Sequence, residues 1–170
     1  LGYNKDELET WLPNILEMKV AAVTVHARTR KEMSLVPARW ERVARAVEIR
    51  DEMQSDTLIL GNGDVADLEH AQQLVEETGA DGAMLGRAIF GNPFLFSAHV
   101  PTLDEKLIVL VEHTKLYEEL LPHKSFAIMK KHFKSYVAGF DGAADLRGKL
   151  MEATDAIGVE NVVKDFRASV

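Results

Sequence analysis

The chain has 170 residues, 46% of them hydrophobic and 28% charged, a balance that excludes a disordered polypeptide. No apolar run is long enough to span a bilayer, and with no cysteine there is no disulfide, thiolate metal site or cysteine nucleophile or acid within this chain. The net charge of -7, from 27 acidic and 20 basic side chains, excludes a global basic field, so any contact with nucleic acid has to be local.

Leu8, Trp11, Leu12, Ile15 and Leu16 fall at helical spacing and predict a helix over 7–17. The uncharged run Val20 to Val25 follows, suited to a strand buried on both faces of a parallel sheet, and it ends in His26-Ala27-Arg28-Thr29-Arg30. Pro37 is placed to open a helix, where its missing N–H is least costly, with Trp40, Val43, Ala44 and Val47 repeating to an end near 50–53. The cycle repeats with a strand at 57–60, then Gly61-Asn62-Gly63-Asp64, then a helix capped by Asp67 and closed by Gly79. A third strand, Gly82 to Leu85, leads into Gly86-Arg87 and a short helical piece at 88–90. Strand and helix alternating at this spacing is βαβ organisation. Phe94 and Phe96 are expected in the core.

Beyond Pro101 only helices are predicted, over 103–121, 124–137, 143–153 and 159–166. The domain boundary is therefore expected at 100/101. The stretch His123 to Phe140 holds Lys124, Lys130, Lys131 and Lys134 with no acidic residue, and Arg147 and Lys149 extend it. Lysines on such a face would contact phosphate without reading bases, although a solvated helix face needs no partner at all. In the packing this implies, Phe126, Met129, Phe133 and Val137 point inward.

All three strands end in polar or glycine-rich motifs. Gly61 and Gly63 permit close backbone approach or positive φ, and Gly86-Arg87 offers exposed amides beside a forked donor for phosphate. In a (β/α)₈ barrel such C-terminal ends share one face, where the active site lies. Arg28 and Arg30 are candidates to line a substrate channel. Asp64 and Asp67 make no convincing metal site, because no histidine or third carboxylate stands at a suitable spacing.

Taken together, the ordered motifs resemble the tRNA-dihydrouridine synthase family. Val23 to Arg30, Leu60 to Asp64, Thr78 to Ala88, Gly91 to Phe96, Met129 to His132, and Gly142 to Arg147 carry that resemblance, which covers nearly the whole chain. It implies the C-terminal part of an FMN-binding TIM barrel over 1–100, followed by a helical tRNA-binding domain over 101–170. It also implies reduction of the C5–C6 double bond of uridines in tRNA, with NADPH reducing the flavin. His26 would stand beside the flavin, Asn62, Gly63 and Asp64 along its ribityl and phosphate side, and Gly86 and Arg87 at the phosphate. Lys124, Lys130, Lys131, Lys134 and Arg147 would meet tRNA, in a cytoplasmic protein that is monomeric at full length. The family's catalytic acid resembles a cysteine from the first half of the barrel, so no catalytic residue is expected here. Leu1 resembles a position inside the fifth βα connection, and the chain by itself is expected to be inactive and poorly stable. A flavin- or phosphate-binding barrel oxidoreductase acting on a small molecule would share the strand-end motifs without the basic stretch. A non-enzymatic RNA-binding fragment would need only the basic helices.

Overall fold

The computed structural model describes residues 1–97 and 99–169. Its elements run α1 (Leu8–Leu16), β1 (Ala22–His26), α2 (Glu41–Glu52), β2 (Leu58–Asn62), α3 (Leu68–Thr78) and β3 (Gly82–Met84), then a 3₁₀ turn over Arg87–Ile89. There follow α4 (Leu103–Leu120), a 3₁₀ turn over Phe126–Ile128, α5 (Lys130–Tyr136), α6 (Ala143–Glu152) and α7 (Ala156–Ser169). The chain is α/β, with a small parallel sheet and many helices. It divides into two compact units, Leu1–Ala88 and Ile89–Val170, so that 89–100 groups with the helices that follow.

In the first unit the sheet order is β1-β2-β3, all parallel. Val23, Val25 and Ile59 point to one face and pack with Leu8, Leu12, Leu16, Val43, Ala46 and Ile49 of the helices. The opposite face is open. Along β1 exposed and buried residues alternate, contrary to a strand covered on both sides. The uncharged run misleads here because Ala22 and Thr24, though apolar or neutral, lie on a face that no helix of this unit covers among the described residues. Leu58 and Met84 share that open face and are about half exposed.

Local chemistry sets the helix ends. Asp67 accepts a hydrogen bond from the His70 amide at the start of α3, and Gly79 closes that helix at φ +70°. Pro37 does not open α2; the helix starts four residues later, after Trp40. The intervening backbone is claimed by tertiary bonds, with the Arg39 amide donating to the Ala27 carbonyl and the Ala38 amide to Asp64.

The second unit closes around its own core, in which Leu107, Leu110, Met129, Phe133, Val137, Leu146, Leu150, Val159 and Val163 are buried. Thr102 and Glu105 form a reciprocal capping box that starts α4. The stretch read as one helix over 124–137 is instead a 3₁₀ turn followed by α5. Leu95 is buried while Phe96 is 67% exposed, so Phe96 is not a core residue. Among the described residues no helix is long and apolar enough to cross a membrane.

Candidate functional site

The parallel register aligns His26 with Asn62, and Asn62 with Met84, in one row across the C-terminal ends of the strands. By alternation these side chains belong to the open face of the sheet. A cleft of about 810 Å³ lies over this row, lined by His26, Arg28, Asn62, Asp64, Gly86 and Arg87 among others. That volume falls within the roughly 300–1,000 Å³ of small-molecule and cofactor sites.

Each polar group in the row has one bond to protein and spare capacity. His26 Nδ1 is 3.3 Å from the Asn62 carbonyl oxygen, which can only accept, so Nδ1 is the donor in this contact and Nε2 has no protein partner among the described residues. Asn62 Nδ2 donates to the Met84 carbonyl at 2.7 Å, leaving its Oδ1 without a protein partner among the described residues. The position beside Gly86 where a Cβ would stand is open for 4 Å.

Asp64 ties these groups together. Its Oδ2 accepts from the Arg28 guanidinium and from the Ala38 amide, and its Oδ1 accepts from Arg87 Nη2 at 3.0 Å. The carboxylate sits at φ +53°, directly after Gly63 at +124°, a pair of left-handed positions that aspartate and glycine tolerate better than other residues. Arg28 beside it, together with the Ala38 amide, holds the Asp64 carboxyl below its usual range despite some desolvation. The side chains differ sharply in exposure: Arg28 is 4% exposed and Arg87 66%. Arg28 Nε also donates to the Val36 carbonyl at 2.6 Å, so this arginine braces the β1–α2 loop. Arg30, by contrast, is exposed and its guanidinium lies 4.9 Å from the centre of the Tyr3 ring.

The family model for dihydrouridine synthases matches residues 11–170. The chain belongs to the dihydrouridine synthase family. It is 37% identical over 175 residues to a "Probable tRNA-dihydrouridine synthase" of Staphylococcus aureus (strain MRSA252), covering 100% of this chain and 53% of that protein. Against "Probable tRNA-dihydrouridine synthase 2" of Bacillus subtilis (strain 168) the identity is 37% over 171 residues, covering 98% and 53%. A "Probable tRNA-dihydrouridine synthase" of Staphylococcus epidermidis (strain ATCC 12228) is 36% identical over 170 residues, covering 98% and 52%. The chain spans about half the length of the curated relatives it matches.

In this member of the family, His26, Asn62, Gly63, Asp64, Gly86 and Arg87 all line the one cleft. Sequence reasoning missed how the cleft is braced. Trp40 Nε1 donates to the Gly63 carbonyl at 2.9 Å, and a Cβ on Gly61 would come within 2.2 Å of the Trp40 ring. Glu32 accepts from the amide and hydroxyl of Thr29 and from both terminal nitrogens of Arg39. Those bonds, led by Arg39, hold the Glu32 carboxyl down to about 2. Thr29 and Glu32 stand at capping-box spacing, a local signal for part of that brace, whereas the Arg39–Glu32 and Trp40–Gly63 bonds join residues 7 and 23 positions apart and have none.

The basic residues of the helical unit divide into two groups. Lys130 donates to the Met151 carbonyl at the end of α6, and Arg147 to the Val137 carbonyl at the end of α5. Both therefore close helix C-termini, where cations are favoured. Lys124, Lys131 and Lys134 are exposed and have no carboxylate partner among the described residues. Among those residues no group of three or more histidine and carboxylate side chains is placed to hold a metal.

Proposed function

We propose that the gene product containing this chain is a tRNA-dihydrouridine synthase that reduces the C5–C6 double bond of specific uridines with FMN, itself reduced by NADPH. The observation that carries the reading is the single cleft at three successive strand ends, in a chain of this family, in which unclaimed acceptors and an exposed arginine converge.

The donor set suits a flavin mononucleotide. Three arginines and one aspartate line the cleft, a positive balance appropriate to a phosphate. Arg87, steadied by Asp64, would hold the phosphate together with the open backbone at Gly86. Asn62 and Gly63 would follow the ribityl chain, and His26 would stand beside the ring. Bound FMN supplies the hydride chemistry; the residues named here bind and orient it. The open sheet face, with Leu58 and Met84 uncovered, is consistent with further strands completing a (β/α)₈ barrel. The residues named here include no acid to protonate C5, so that group lies outside these side chains. In the helical unit, Lys124, Lys131 and Lys134 offer free charge for tRNA phosphates, and Lys130 and Arg147 add to the field while bonded to carbonyls. The target uridine must leave its stack to reach the cofactor.

Anaerobic reoxidation of the reduced flavin in that gene product, with unmodified tRNA against free uridine, tests the reading. Fast reoxidation by tRNA alone, with a two-hydrogen mass gain at one uridine, is expected. Flavin that stays reduced with tRNA would instead favour a small-molecule oxidoreductase.

A further inference from the structure

A second cavity, of about 440 Å³, lies wholly within the helical unit and is used by none of the roles above. The 89–93 segment, α4 and α5 form its walls, and Phe90, Glu112, His113, Leu116, His132 and Tyr136 give it its chemistry. Phe90 is 53% exposed and meets the His132 ring edge-on, with centroids 5.7 Å apart. The His113 and His132 rings lie 5.4 Å apart, tilted by 52°. His113 Nδ1 is bonded to the Tyr136 hydroxyl at 3.0 Å. His113 Nε2 and both ring nitrogens of His132 have no hydrogen-bond partner among the described residues.

The character of these groups narrows the ligand. Glu112 is the one carboxylate on the wall among the described residues, and no lysine or arginine joins it, which disfavours a phosphate inside. Burial lowers the basicity of both imidazoles, and His113 and Lys131 lower that of His132 further, which favours the neutral ring, able both to donate and to accept. An exposed aromatic face beside such rings suits a flat, uncharged heterocycle with adjacent donor and acceptor atoms. On α5 itself, Lys131 and Lys134 flank His132 in sequence and are exposed, which places phosphate-binding charge on the helix that supplies the pocket wall.

We propose that this pocket takes one unpaired nucleobase of the RNA, stacked on Phe90 with its polar edge on the imidazoles of His113 and His132, while flanking phosphates lie on Lys131 and Lys134. The inference rests on the RNA reading given above and adds a base contact in the helical unit, separate from the cleft at the strand ends.

The test measures binding of the gene product to a ten-residue oligouridylate and to an abasic ribose-phosphate oligomer of the same length. The base-bearing oligomer is expected to bind at least about fivefold more tightly, as one stacked base commonly contributes. Phe90→Ala and His132→Ala should each lower that ratio and leave the abasic affinity unchanged, whereas Lys131→Ala with Lys134→Ala should weaken both oligomers alike. A ratio untouched by Phe90→Ala and His132→Ala, in variants whose circular dichroism is unaltered, overturns the pocket and leaves the RNA reading standing. Failure of both oligomers and of whole tRNA to bind overturns the RNA reading and the pocket with it. Imidazole NMR signals of His113 and His132 that move with zinc alone and not with the oligomer would make this a metal site instead.

Discussion

The arginines around the sheet and the lysines near α5 are held differently. In the first unit, Arg28, Arg39, Arg42, Arg45, Arg50 and Arg87 are all ion-paired to carboxylates; the Arg28 and Arg87 pairs lie in the cleft, and the Arg42 and Arg45 pairs join α1 to α2. In the second, Lys130 donates to a helix-end carbonyl, and Lys124, Lys131 and Lys134 meet no carboxylate among the described residues. On the proposed reading, the paired arginines with one exposed member suit a small anion, whereas the unpaired lysines suit a polyanion. The cores differ likewise. The helical unit buries its apolar residues around one centre, while the sheet unit buries one face and leaves the other to its cleft.

That contrast can be broken by mutation. Phe133→Ala, at a fully buried site of the helical core, is expected to cost about 3–5 kcal/mol. Both tryptophans, Trp11 and Trp40, lie in the first unit, so helix loss by circular dichroism should precede the change in their fluorescence. Equal shifts of the two signals would mean the cores are not separate. Gly61→Ala drives a methyl into the Trp40 ring and should cost about 1–3 kcal/mol, this time read by tryptophan fluorescence. Thr102→Ala removes the reciprocal cap of α4 and should cost about 1 kcal/mol in the helical unit by denaturant titration.

The smallest effect is a dependence on pH. Glu32 is depressed in the folded chain from 4.5 to about 2, so its contribution is fully present above 4.5 and is lost as pH falls through 2. The denaturation midpoint of the wild type should therefore decline between those values more steeply than that of Glu32→Gln. Parallel pH profiles would show that the Thr29–Glu32–Arg39 brace contributes nothing to stability.

Much of this was legible in residue order. The repeating strand and helix pattern, the Asp67 and Gly79 caps and the inward set Met129, Phe133 and Val137 follow from periodicity and capping chemistry. So does the gathering of His26, Asn62 and Arg87, because parallel strands bring their C-terminal ends to one edge. What stayed hidden was tertiary. Pro37 satisfies the rule for opening a helix, yet Asp64 and Ala27 claim the following backbone. The run from Val20 to Val25 carries no charge, but neutrality does not tell a covered face from an open one. Lys130 and Arg147 look like their exposed neighbours until their carbonyl partners on other helices are known.

The central claim is that the cleft of the first unit holds a flavin by its phosphate. The most direct measurement compares the affinity of the gene product containing this chain for FMN and for riboflavin, in the wild type and in Arg87→Met. The account predicts that the wild type prefers FMN at least about tenfold, the effect of a charge-assisted contact, and that Arg87→Met removes most of that preference while riboflavin binding is unchanged. Equal affinity of the wild type for the two flavins, or a preference that survives Arg87→Met, would contradict it.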